Sequence, residues 1–241
     1  MIVLALLGCL DRVLEGPYVL APGLGDVRSL SPSVDGRLLV ATSTGVYEID
    51  GEGRTERIEA APAIAVATHP GRAYVLRDGR VTWAGGGLDV PGAIDILGGY
   101  DALIVLYPDR LSRVDPDTGT RRDQPFAPGL VARSVALGPD GGYLVVSESA
   151  LHHVSASGTV SLVTANLVDA RAATLDAKGR VYLAQGAPEE LWRVDPTGLV
   201  SVARWLGDPK DLQFGLGGLL SVENTYIANG AGTLDYVRPP P

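Results

Sequence analysis

Four segments of the chain set a cation behind a short approach: Asp26-Val27-Arg28, Asp169-Ala170-Arg171 and Asp208-Pro209-Lys210, with Val131-Ala132-Arg133 a near match. The spacing from Leu24 to Arg28, from Leu167 to Arg171 and from Leu206 to Lys210 is the same. If these segments are equivalent, Arg28, Arg133, Arg171 and Lys210 converge on one opening. A half-ring of cations suits a carboxylate or phosphate ligand, because each guanidinium presents a planar fork of donors. The competing arrangement has each cation held by the Asp two residues before it, which ties down its own loop.

A second set of segments carries acids: Arg77-Asp78, Tyr107-Pro108-Asp109, Ser147-Glu148-Ser149, Glu189-Glu190 and Glu223-Asn224. Glu148 and Glu223 each follow a Ser-containing strand end, Val146-Ser147 and Ser221-Val222, which would aim both at the same mouth. His152 aligns with Tyr47 and Trp192 of other units, a packing position, and His153 aligns with Glu48, Arg113 and Arg193, a solvated flank. His69, in Thr68-His69-Pro70-Gly71, reads as a turn residue. None of the three stands at a loop end from which a base reaches substrate. No phosphate-cradling glycine loop precedes a helix, and no nucleophile elbow occurs.

The elements that must position these residues are repeats. Six stretches read strand, loop, strand: Asp35 to Gly53, Gly71 to Gly86, Asp101 to Gly119, Gly142 to Gly158, Gly179 to Gly198 and Gly217 to Pro239. Between them lie further short strands bounded by Gly and Asp turns, so each unit holds four strands, the content of a propeller blade. The expected fold is all-β, a six-bladed β-propeller of four-stranded antiparallel blades. Ala21-Pro22-Gly23-Leu24 recurs as Ala127-Pro128-Gly129-Leu130, where it leaves an outer strand. The first copy therefore also leaves an outer strand, and Tyr18 to Ala21 is expected to complete the last blade, whose own third strand runs from Leu234 to Arg238. Closure of this kind removes open sheet edges.

The DGR-type starts and the Val-Asp-Pro finishes (Val114-Asp115-Pro116 with Gly119, Val194-Asp195-Pro196 with Gly198) resemble the NHL, streptogramin-lyase and SMP-30-like six-bladed families. Resemblance to the SMP-30-like lactonases implies a divalent cation, calcium or another hard ion, held by loop oxygens, with Glu148, Glu223 and Asn224 as the matching positions. The first blade departs from that pattern, with Thr42, Ser43 and Thr44 where a glutamate is wanted. Resemblance to the lyases implies a histidine base, for which the positions of His152 and His153 are unsuited.

Composition fits one domain: 241 residues, 31 Gly, 17 Pro and 46% apolar residues, enough for a single β core. A net charge of −8, with lysine only at Lys178 and Lys210, argues against a nucleic-acid surface. At the N-terminus, Leu6-Leu7-Gly8-Cys9 resembles the lipobox of bacterial lipoproteins, although no Lys or Arg precedes it, and Cys9 is the one cysteine. That resemblance implies a signal segment over 1–9 ending at a lipidated Cys9, a tether over 10–17 reaching at most about 28 Å, and a monomeric propeller over 18–241. The alternative is a cytoplasmic propeller with a short apolar tail.

The expected function is a non-catalytic lipoprotein of the bacterial cell envelope that binds a protein or peptide partner, needs no cofactor, and meets the membrane through Cys9. The alternatives are a divalent-metal-dependent lactonase and a small-anion sensor built on Arg28, Arg133, Arg171 and Lys210.

Overall fold

The computed structural model describes residues 17–33, 35–215 and 224–238; Cys9, Glu223 and the segments 1–9 and 10–16 lie outside them. The first strand, β1 (Tyr18–Pro22), is followed by five blades in chain order. The first blade is β2 (Val27–Pro32), β3 (Leu38–Thr42), β4 (Val46–Ile49) and β5 (Thr55–Glu59), and the second is β6 (Ala65–His69), β7 (Arg72–Arg77), β8 (Arg80–Trp83) and β9 (Gly86–Asp89). The third comprises β10 (Asp95–Gly98), β11 (Leu103–Tyr107), β12 (Arg110–Val114) and β13 (Arg121–Pro125), and the fourth β14 (Ala132–Leu137), β15 (Tyr143–Ser147), β16 (Ala150–Val154) and β17 (Val160–Ala165). The fifth comprises β18 (Ala170–Leu175), β19 (Val181–Gly186), β20 (Glu189–Asp195) and β21 (Gly198–Arg204). The sixth joins β22 (Pro209–Phe214), β23 (Thr225–Asn229) and β24 (Thr233–Val237) to β1.

The chain is thus a six-bladed propeller closed by its N-terminal strand, as the repeated Ala-Pro-Gly-Leu implies. All ladders are antiparallel, and β1 pairs with β24 from Tyr18↔Tyr236 to Pro22↔Thr233.

Burial follows strand position. The second strands β3, β11, β15 and β23 are buried along their whole length, while the outer strands β5 and β13 are mostly exposed. A second strand is covered on both faces by neighbouring blades, so it reads as an unbroken apolar run such as Leu103-Ile104-Val105-Leu106. Clusters of buried residues fall one to each interface between adjacent blades, including the seam where Ala21, Leu24 and Val27 meet Tyr226, Ala228 and Leu234. The inner strands β2, β6, β10, β14, β18 and β22 each neighbour the next around a central channel. Their approach is close: a Cβ on Gly98 of β10 would lie 1.7 Å from the Thr68 carbonyl oxygen of β6.

One register differs from the sequence expectation. The second strand of the last blade is Thr225–Asn229, so Asn224 precedes that strand instead of standing in the loop after it. Two apolar runs compete there. The turn Gly230–Gly232 leads directly into β24, and Tyr226 takes the place that Tyr74 and Tyr182 hold in β7 and β19, which decides for the later run.

Candidate functional site

The loops entering the inner strands and those joining second to third strands meet on one face, the mouth. Arg28, Arg133, Arg171 and Lys210 all lie there at equivalent positions, each the extra residue of the register bulge in its inner strand. Ile64 and Ile94 stand at that position in the second and third blades. The four cations are all occupied. Arg28 Nε lies 2.9 Å from Asp26, Lys210 Nζ 2.7 Å from Asp208, and Arg171 Nη2 2.7 Å from Asp169. Arg133 has no Asp two residues before it; it lies 3.2 Å from Glu148 of its own blade and reaches into the next, 2.7 Å from Asp169.

Asp169 therefore bridges the guanidinium groups of two blades. Burial opposes its ionisation, but the hydrogen bonds from Arg171 and Arg133 outweigh that and hold its pKa below the usual carboxylate value. With Asp26, Glu148, Asp169 and Asp208 against four cations, the rim is a charge-balanced ring.

Glu148 is exposed in the loop after β15, on the mouth. Its counterpart in the sixth blade is Gly230; Asn224 lies at the far end of β23, on the opposite face. A five-residue strand spans roughly 17 Å, so Glu148 and Asn224 do not share an ion. Among the described residues no group of three or more His, Cys, Asp or Glu side chains is placed to hold a metal.

Beneath the rim is a feature the sequence reading did not single out. Ser29, Ala65, Asp95, Ser134, Ala172 and Asp211 hold one level of the six inner strands. The amide that follows each faces the channel edge, where no ladder partner exists. Side chains of this level cap those amides. Asp95 accepts from Ile96 at 2.8 Å and from Val135 of the next blade at 3.1 Å. Asp211, in the blade opposite, accepts from Leu212 at 2.8 Å and from Leu30 at 2.7 Å, and the Ser29 hydroxyl accepts from Val66 at 3.3 Å. Both carboxylates line a channel cavity of about 250 Å³ with Ser31, Thr174 and Gln213. Burial first, and then the charge of Asp211, pushes the Asp95 carboxyl well above its ordinary range; burial pushes Asp211 up to about 7. The pair thus retains a proton near neutrality.

Around the mouth, Val131, Val168 and Trp205 are 62%, 58% and 70% exposed, in the corresponding loops of three successive blades. Trp205 adopts a left-handed backbone (φ 60°) where the other loops place Gly23 (φ 74°), Gly129 (φ 89°) and Asn166 (φ 60°). The loop is pinned on either side: Arg204 pairs with Glu190 at 3.1 Å, and Leu206 is fully buried. The signal was present in sequence, since a Trp stands before the conserved-in-repeat Leu (Gly23-Leu24, Gly129-Leu130, Asn166-Leu167, Trp205-Leu206) where Gly or Asn is usual.

Solved structures of the same shape include a streptogramin B lyase, 13% identical over 92% of this chain and 96% of that one, with a TM-score of 0.67. The chain shares their fold. A gluconolactonase from Xanthomonas campestris matches 93% of this chain and 89% of its own at 13% identity and a TM-score of 0.74. A protein described as a glucose dehydrogenase from Thermus thermophilus matches 91% and 98% at 13% identity and a TM-score of 0.63. No protein-family model matches the sequence, and no curated protein matches it. Identities this low extend to architecture and leave the chemistry to the site itself.

Proposed function

We propose that this propeller is a non-catalytic binding platform that grips a protein or peptide partner with the mouth face of its fourth, fifth and sixth blades. The observation that carries the reading is Trp205. A bulky residue in the left-handed region costs about 1–3 kcal/mol, yet this loop accepts that conformation and leaves the indole 70% exposed. The same face has the composition of a binding hot spot: an aromatic anchor, exposed apolar Val168 and Val131 in the corresponding loops of the two preceding blades, and half-buried arginines, Arg133 and Arg171, already fixed by carboxylates. Side chains ordered in advance lose less freedom on association.

A lactonase or lyase reading asks for a base or an ion at the same mouth. The rim carboxylates are engaged by cations, and the lowered pKa of Asp169 makes it a weak base near neutral pH. Lipidation at Cys9 would set the platform against the cell envelope, with the mouth displayed to envelope proteins.

The test is Trp205→Asn, which installs the residue the fifth blade uses at this place. Partner capture by the full chain from an envelope extract is expected to fall at least tenfold, while the melting temperature stays the same or rises by roughly 2–4 °C through relief of strain. Unchanged capture, or a marked loss of stability showing that the indole packs the fold, would overturn the reading.

A further inference from the structure

The repeats allow one blade to be compared with another at identical positions, and the comparison exposes a second site away from the mouth. In the first blade, the turn Ala21-Pro22-Gly23-Leu24 faces the third strand across a space that Tyr47 fills. The Tyr47 hydroxyl lies 3.1 Å from Thr44 Oγ1, which donates to the Leu24 carbonyl at 2.8 Å. Arg57 lies over the ring at 5.9 Å and bonds the Thr44 and Ala60 carbonyls, closing the outside.

The fourth blade carries the same turn, Ala127-Pro128-Gly129-Leu130, at the same place. Register equates Thr44 with Ser149, Tyr47 with His152 and Arg57 with Leu162. Every replacement is shorter or cannot make the blade-one bonds. A cavity of about 380 Å³ opens where the phenol ring stands in the first blade, bounded by the turn, Ser149, His152, Val160 and Leu162. This is within the size range of small-molecule sites. Buried in its wall, His152 Nδ1 has no hydrogen-bond partner. An orphaned buried nitrogen costs free energy that a ligand can recover. In the fifth blade the equivalent residue is Trp192, whose bulk occupies this position.

We propose that this cavity is a binding site for a phenolic ring, which restores in the fourth blade what the Tyr47 side chain supplies in the first. The ring packs between Pro128, Leu130, Val160 and Leu162, and its hydroxyl hydrogen-bonds His152 Nδ1 once the imidazole turns this sealed nitrogen toward the cavity. The walls present no carboxylate and no guanidinium, which matches a neutral ligand. Burial also depresses the His152 pKa, so the imidazole is neutral at physiological pH and can accept from a phenol.

The ring has two sources, a free small phenol or the tyrosine side chain of a peptide, and the experiment separates them. The full chain, labelled so that imidazole resonances are resolved by NMR, is titrated with p-cresol, with N-acetyl-tyrosinamide and with toluene. A saturable shift of the His152 signals is expected with p-cresol, at least fivefold weaker with toluene. Binding of the tyrosinamide as well assigns the site to a tyrosine side chain; exclusion of it assigns the site to a free phenol. His152→Tyr, which copies the first blade, should abolish p-cresol binding and raise the melting temperature. Leu162→Arg, at an exposed position that leaves His152 in place, should weaken binding at least fivefold by covering the cavity as Arg57 does. The proposal is overturned if no saturable shift occurs, if toluene binds as tightly as p-cresol, or if p-cresol binding, read from protein-observed shifts, survives both substitutions.

Discussion

A chain lacking Tyr18–Pro22 is expected to aggregate and to melt roughly 6–20 °C below the intact protein. The segment does three things at once. It supplies the outer strand of the sixth blade, in register from Tyr18↔Tyr236 to Pro22↔Thr233, with the rings of Tyr18 and Tyr236 stacked at 5.4 Å. It contributes fully buried Ala21 to the cluster that joins the last blade to the first. It also brings Leu20 against the first blade, where a Cβ on Gly53 would lie 2.2 Å from the Leu20 carbonyl oxygen. Without it, β24 presents an unpaired edge, a template for pairing with another chain. Loss of buried contacts at such a seam costs on the order of 3–5 kcal/mol, and each kcal/mol moves the midpoint by about 2–4 °C in a domain of this size. Light scattering during a thermal melt checks both parts. A soluble variant with a cooperative transition near that of the intact chain would show that the ring is held by its inner strands alone. Ala21→Asp should reproduce most of the loss without shortening the chain, because it buries a charge in the same seam.

The architecture was legible in sequence because its cause is local. A second strand sandwiched between blades must be apolar throughout, and Leu103–Tyr107 or Tyr143–Ser147 announces itself; the twin Ala-Pro-Gly-Leu turns reveal the closure. Three of the rim cations were equally legible, since Arg28, Arg171 and Lys210 each stand four residues after a buried Leu; Arg133 stands three after the partly buried Leu130. The Asp partners of those three were legible as well, two residues before each cation; Arg133 has no such acid and finds Asp169 only because the ring brings the fifth blade beside the fourth. The same holds for Asp95 and Asp211, which look like ordinary polar residues in short strands until the ring sets them opposite one another. The error at Asn224 is a matter of register, because periodicity cannot choose between adjacent apolar runs; pairing with β22 and β24 chooses.

Between about pH 4 and pH 7 the protein is expected to lose stability as the pH rises, the reverse of the usual acid limb, and the channel carboxylates are the cause. In the unfolded chain an Asp titrates near 3.9. In the folded ring burial pushes Asp211 up to about 7, and burial with the charge of Asp211 raises Asp95 well above the ordinary value. Across that window the folded state keeps a proton that the unfolded state has released, so the slope of unfolding free energy against pH is negative. A shift of this size on one group corresponds to at most about 4 kcal/mol, of which only the part between pH 5 and pH 8 counts here, so a fall of roughly 5–10 °C in melting temperature from pH 5 to pH 8 is expected. Asp50, Asp115, Asp123, Asp169, Asp176 and Asp195 act in a different window: their pKa values are lowered, so their stabilisation is complete above about pH 4 and is lost only below it. His152, its pKa lowered by burial, contributes stability that grows as the pH rises toward its ordinary value and offsets part of the fall; with two raised carboxyls against one imidazole, maximum stability should lie near pH 4–5. Asp211→Asn separates the pair from every other group. An amide oxygen can cap the Leu30 or the Leu212 N–H but its NH2 cannot accept the other, so the variant should be less stable than the native protein at pH 5. At pH 8, where Asp211 of the native protein is ionised beside Asp95 in the buried channel, the variant should be as stable or more so. Melting curves of the two proteins across this range are expected to cross; parallel curves, or a native protein that gains stability from pH 5 to pH 8, would place the titrating proton elsewhere.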